Sequence, residues 1–169
     1  MKLENNVCIL SRMFKKDSQN SIQVQSLQKS FRTGFWRQKR EVIKDVSFTV
    51  STGCATGFVG SNGSGKTTSL KLILGFLKPD SGNVQIFGSP LTTRIKSQIG
   101  YLPERPFYYE HLTAGEFLKF HWDLGGGGEG FPVRSRDCLE SVHLSHAADQ
   151  RLRSFSKGMQ QRVGMAHAL

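Results

Sequence analysis

Cysteine is scarce: Cys8, Cys54 and Cys138 stand far apart in 169 residues, with no C-x-x-C pair and no Cys/His spacing that would hold zinc. An odd, sparse set suits reduced thiols rather than a disulfide framework. Long hydrophobic runs are also missing. Residues 46–65 carry no charge, but Ser, Thr, Gly and Asn interrupt them, and a spanning helix needs about 20 mostly apolar residues. The apolar patch at residues 7–10 is shorter than the roughly 7–15 residues of a signal-peptide core. The expectation is a cytoplasmic chain, peripheral on the inner face of a membrane only through a partner. Proline is sparse at 5, and acidic residues number 13 against 23 basic, a net charge of +10. Such a field attracts phosphates, nucleic acid and anionic lipid without choosing among them. The densest basic cluster is Lys29, Arg32, Arg37, Lys39, Arg40 and Lys44 against a lone Glu41, which reads as a solvated loop. The hydrophobic fraction of 37% excludes a disordered or fibrous chain, and the length suits one domain with its own core.

Residues 1–20 read as a poorly ordered leader. Residues 22–27 (IQVQSL) and 42–50 alternate apolar and polar, which predicts strands, with Gly34, Phe35 and Trp36 in the hairpin loop between them. Residues 54–59 are a short uncharged run entering glycines, the pattern of a buried strand. Residues 66–77 predict a helix whose stripe is Leu70, Ile73, Leu74 and Leu77, stopped at Pro79 and Gly82. Strands are expected at 83–87 and 99–102. Helices are expected at 113–124, with Thr113 and Glu116 spaced as a capping box, at 134–142 and at 157–168. Residues 125–128, four glycines, are a flexible break.

Gly60-Ser61-Asn62-Gly63-Ser64-Gly65-Lys66-Thr67 fits G-x-x-x-x-G-K-[ST]. A triphosphate needs many donors in a small space. Backbone amides supply them where no side chain intrudes, hence the glycines. The following helix adds its N-terminal dipole, Lys66 offers a mobile charge to the β- and γ-phosphates, and Thr67 offers a hydroxyl to magnesium. A preceding apolar strand and a following amphipathic helix supply the context a chance match lacks. GTPases, nucleotide kinases, helicases and transporters all carry such a loop, so the remaining segments decide the class.

Three segments resemble the ATP-binding-cassette family, over about residues 22–169. Asp45-Val46-Ser47-Phe48 leads through Gly53 into the phosphate loop and Thr68, as in the family's G-x-N-G-[SA]-G-K-T-T. Gly75-Phe76-Leu77-Lys78-Pro79-Asp80-Ser81-Gly82 resembles the stretch after the phosphate-loop helix. Phe155-Ser156-Lys157-Gly158-Met159-Gln160-Gln161-Arg162-Val163 resembles the signature L-S-G-G-Q-x-Q-R-V in a variant form. The resemblance implies an α/β fold: a P-loop NTPase-type core, an N-terminal antiparallel β subdomain, a helical subdomain at about residues 104–156 and an incomplete C-terminal part. It implies ATP and Mg2+ as ligands, a transmembrane transporter subunit and a second ATP-binding subunit as partners, and no specific nucleic acid. In the family the signature serves the nucleotide of the opposite subunit, so Ser156, Lys157, Gly158 and Met159 would close over a partner's ATP. Their other reading is an ordinary capped helix.

Phe31 matches the family's adenine-stacking aromatic, with Trp36 a weaker match; plain packing explains Phe31 as well. Glu104, in Gly100-Tyr101-Leu102-Pro103-Glu104, stands where the family has a Gln touching magnesium and water, and a carboxylate there accepts but cannot donate. Residues 102–112 would face the transmembrane partner, with Phe107, Tyr108 and Tyr109 as contacts or as packing. The family's next segment, an apolar strand ending Asp-Glu, does not occur in these residues, and His167 is not the family's phosphate-sensing His. Hydrolysis by this chain alone is therefore expected to be very slow, and an uncovered sheet edge predicts marginal stability. Two alternatives stand beside the transporter subunit: a soluble cassette ATPase acting on ribosomes or nucleic acid, and a non-catalytic remnant.

Overall fold

The computed structural model describes residues 7–13 and 20–169. They form two compact units, divided after Gln98.

The first unit is built on a four-stranded antiparallel sheet. In chain order its elements are β1 (Val7–Met13), β2 (Asn20–Thr33), β3 (Gln38–Ser51), β4 (Cys54–Gly60), α1 (Lys66–Ile73), β5 (Ser81–Ile86), β6 (Ser89–Pro90) and α2 (Thr93–Lys96). The four-stranded sheet has the order β3-β2-β5-β6. Alternation along β2, β3 and β5 turns Val24, Leu27, Ile43, Val46, Phe48, Val84 and Ile86 inward, where Leu72 and Ile73 of α1 complete the buried set. Each such side chain, fully buried, is worth roughly 1.5–3 kcal/mol. β4 pairs antiparallel with β1, from Val7 opposite Gly60 to Met13 opposite Cys54. Part of the expected leader is thus a strand; the rest of residues 1–19 lies outside the described residues. Among the described residues β4 pairs with β1 alone, and Val59 remains half exposed.

The helix after the phosphate loop is shorter than its pattern predicts. The Gly75 N–H donates to Leu72 O (3.1 Å) and the Phe76 N–H to Lys71 O (2.8 Å), with Gly75 at φ +69°. That is a Schellman ending, which glycine allows because it pays no Cβ penalty at positive φ. The stripe shifts accordingly: Leu72 and Ile73 are buried, whereas Leu70 is exposed. Beyond the turn, the Asp80 carboxylate accepts from Lys29 Nζ (2.8 Å) and from the Ser30 N–H (2.7 Å), tying β2 to the segment after α1. The Lys29 ammonium and the Ser30 amide hold this carboxyl below its ordinary pKa.

The second unit contains α3 (Ala114–Leu124), α4 (Phe131–Ser141), two short 3₁₀ turns (Ser145–Ala147 and Leu152–Ser154) and α5 (Lys157–Ala168). Its core joins Ala114, Phe117 and Leu118 of α3 to Leu139 of α4, Leu152, Phe155, and Val163 and Ala166 of α5. A backbone clamp ties the entry of α3 to the approach of α5. The N–H groups of Ala114 and Gly115 donate to Gln150 O and Ala148 O, and those of Leu152 and Arg153 to Leu112 O and Glu110 O. α4 starts three residues earlier than its pattern predicts, because Gly130 at φ +91° turns the chain and Pro132 fits the first turn.

Residues 99–102 are not a strand, contrary to the sequence expectation. A strand needs a neighbour for its backbone donors and acceptors, and among the described residues no ladder includes this segment. Gly100 instead fits against the end of α5, where an added Cβ would meet Ala168 O far inside van der Waals contact.

Candidate functional site

The phosphate loop lies between β4 and α1, as its spacing predicts. Lys66 is folded back on its own loop: Nζ donates to Gly60 O (2.5 Å) and Ser61 O (2.8 Å). The Ser64 N–H closes a small turn onto Ser61 O (3.2 Å). Gly63 has φ +83° and open space where a side chain would stand. Gly65 has φ +90°, and a Cβ there would lie 2.6 Å from Ile43 Cδ1. Gly65 is therefore demanded twice, by backbone angle and by the closeness of β3.

Three features make this loop fit a triphosphate. Gly65 is the N-cap of α1, and no side chain caps the helix. The N–H groups of Lys66, Thr67 and Thr68 have no partner within the helix, as at any helix start. The Ser64 Oγ is buried without a hydrogen-bond partner among the described residues, a state that ordinarily costs about 1–3 kcal/mol. Donors, dipole and mobile cation converge on one point, which is anion-binding chemistry. Thr67 is exposed at this end of α1, free to turn its hydroxyl toward a cation held by phosphates.

Phe31 belongs to the same unit. It is half-buried near the end of β2, opposite Arg40, with Lys29 Nζ 5.7 Å from its ring centroid. Trp36 sits at the tip of the β2–β3 hairpin and is 84% exposed.

The signature residues lie in the second unit, at the start of α5. Ser156 is the N-cap, its Oγ accepting from the Met159 N–H (3.3 Å). Lys157 and Gly158 are exposed. A Cβ at Gly158 would meet only Ser156 Oγ, 4.0 Å away, so packing does not require this glycine. Gly164, two turns on, is the opposite case: a Cβ there would lie 2.6 Å from Tyr108 Oη and 2.8 Å from Leu102 Cδ1. Glu104 is exposed in the irregular segment before α3.

Tyr108 is not a surface contact. Its ring packs on Phe117 (5.6 Å), its hydroxyl donates to Gln160 O (2.5 Å), and burial raises its pKa. Phe107 and Tyr109 do face outward, joined edge to face at 5.7 Å. Phe120, which sequence spacing did not single out, extends this surface 5.1 Å from Tyr109. Its i, i+3 relation to Phe117 on α3 was the available signal.

Comparison with known proteins agrees with this arrangement. The profile of the ABC transporter family matches residues 43–169. An ABC transporter ATP-binding protein of Nostoc sp. is 43% identical over 163 residues, 91% of this chain and 48% of that protein. The SkfA peptide export ATP-binding protein SkfE of Bacillus subtilis is 33% identical over 150 residues, 88% of this chain and 60% of that one. A solved structure of the ATP-binding subunit of an ABC transporter matches with TM-score 0.62 and 27% identity, covering 86% of this chain and 60% of that one. The chain spans about half the length of the curated relatives it matches. Among the described residues no helix is long and apolar enough to cross a membrane. The match over residues 43–169, together with these relatives, makes this chain a member of the ABC transporter family, on the ATP-binding side.

Proposed function

We propose that the chain binds ATP with Mg2+ and belongs to an ATP-binding subunit that powers a membrane transporter. The observation that carries this reading is the start of α1, without a side-chain cap, beneath a lysine that among the described residues is held by its own loop. On nucleotide arrival Lys66 exchanges Gly60 O and Ser61 O for β- and γ-phosphate oxygens. The loop amides and Ser64 Oγ supply further hydrogen bonds, and Thr67 takes one position on the metal. Bound magnesium neutralises charge on those phosphates. Phe31 would stack on the base. Residues Ser156, Lys157, Gly158 and Met159 serve the nucleotide of a second ATP-binding subunit in a head-to-tail pair.

The outward-facing Phe107, Tyr109 and Phe120 dock a transmembrane subunit, which holds the chain at the cytoplasmic face of the membrane. The peptide-export relative favours outward transport.

Isothermal titration with MgATP tests the proposal. Saturable one-site binding to the wild-type chain, lost or much weakened in Lys66→Ala, is the expected result. No binding, or binding indifferent to Lys66→Ala, overturns it.

A further inference from the structure

The hairpin joining β2 to β3 stands apart from the core. Every residue from Arg32 to Glu41 is exposed, so ten successive residues of paired strand and turn cover nothing. At its tip Phe35 is 94% exposed and Trp36 is 84% exposed. The tip is a defined turn: Gly34 has φ +76°, Arg37 has φ +49°, and the Arg37 N–H donates to Gly34 O (3.1 Å). Two large aromatic side chains are thus held in water by an ordered ribbon, which is the reverse of where such residues ordinarily lie.

The charges on the same ribbon say what would cover them. Arg32, Arg37, Lys39 and Arg40 fall within nine residues that contain no acid. Among the described residues none of the four is in an ion pair. Arg32 lies directly opposite Lys39 in the ladder. Like charges facing each other destabilise a strand pair unless an anion screens them. An aromatic tip flanked by unpaired cations matches the interface of an anionic bilayer, where Trp settles at headgroup level and basic residues meet lipid phosphates.

Single-stranded nucleic acid is the competing polyanion, but bases stack on open ring faces. Here the two rings meet edge to face, with centroids 5.8 Å apart and planes at 87°, so they do not present one continuous stacking surface. The pair is a wedge rather than a stacking platform.

We propose that this hairpin is a membrane contact of its own, separate from any transmembrane partner: Phe35 and Trp36 enter the headgroup region of an anionic bilayer while Arg32, Arg37, Lys39 and Arg40 engage lipid phosphates. The contact is weak alone and serves to orient a subunit already brought to the membrane. It does not depend on the nucleotide reading, because none of these residues belongs to the phosphate loop.

Co-sedimentation of the whole chain with vesicles tests it. Vesicles of equal phosphatidylglycerol and phosphatidylcholine should bind the chain, and vesicles of phosphatidylcholine alone should not. Raising salt from about 50 to 200 mM should weaken binding several-fold. Phe35→Ala with Trp36→Ala should lower partitioning about tenfold, and Arg37→Gln with Lys39→Gln should lower it and flatten the salt dependence. Both pairs lie outside the core, so melting temperatures should hold; if one pair unfolds the chain, the other decides. Lys66→Ala should leave vesicle binding unchanged, which separates this result from the fate of the nucleotide proposal. Equal binding to neutral vesicles, full binding by both hairpin variants, or displacement of vesicles by oligouridylate bound through these residues would overturn the inference.

Discussion

Helices α1 and α3 begin in opposite ways. At α3, Thr113 Oγ1 accepts from the Glu116 N–H (3.1 Å), while the Glu116 carboxylate accepts from the Thr113 N–H (2.8 Å). That capping box satisfies donors reciprocally within the chain and sets an acid at the positive end of the dipole. At α1 the cap is Gly65, no side chain accepts from the first turn, and no acid lies in it. One end is closed by its own sequence and contributes to stability. The other is left open, and its donors and dipole remain for an anion from outside. α5 stands between them, with a single Ser156 cap and the exposed Gly158 beside it. A helix start left unsatisfied at a defined loop marks the site better than charge does, since basic residues are spread over the whole chain.

The contrast can be broken most strongly at α1. Lys66→Ala should reduce MgATP affinity about 10- to 100-fold, the worth of a charge-assisted contact, and leave the unliganded chain's melting temperature nearly unchanged; titration calorimetry reads both affinities. Gly65→Ala should destabilise the fold by about 1–3 kcal/mol in urea unfolding, because φ +90° strains the backbone and Ile43 must move. Nucleotide affinity should fall with it. Closing the comparison from the other side, Thr113→Ala should cost about 1 kcal/mol of stability and leave MgATP affinity where it was. A change in affinity there would mean that the two helix starts do not have separate roles.

The smallest expected effect lies at the far end of the helical unit. His121 and His167 lie with ring centroids 4.1 Å apart, tilted by 47°, and both meet Phe117. Partial burial lowers the pKa of each, and the neighbouring imidazole lowers that of His167 further. The folded state therefore favours neutral rings, and the unfolded chain takes up protons first as pH falls. The contribution is whole above about pH 6.5 and is lost as pH falls through the depressed folded values. Melting should come slightly lower at pH 5.5 than at pH 7.5, and His167→Phe should flatten that slope.

What the sequence made legible was chemistry with fixed spacing. The phosphate loop, the Thr113–Glu116 box and the Ser156 cap each need particular residue types a set number of positions apart, and each stands where its spacing put it. Periodicity was weaker. Leu70, Leu74 and Leu77 suited a longer α1, but Gly75 ended the helix and the buried pair became Leu72 and Ile73. The strand expected at residues 99–102 failed because a strand depends on a partner that its own residues cannot specify. Tyr108 illustrates the same limit: only the tertiary fold, through Gly164 and Phe117, turns it inward between two exposed aromatics.

The connection between α3 and α4 has a consequence for how the protein can change over generations. Gly126, Gly127, Gly128 and Gly130 all adopt positive φ, and for three of them no atom stands within 4 Å of where a side chain would begin. Trp122 Nε1 donates to Gly128 O (3.3 Å), and the N–H groups of Gly126 and Gly127 close back onto Asp123 O and Trp122 O. Extra residues inserted here would displace almost nothing and add little closure entropy, since that cost grows only with the logarithm of loop length. This loop is therefore a segment where length can drift, or a tag can be grafted, while the clamp between residues 110–115 and 148–153 keeps the start of α5 in place.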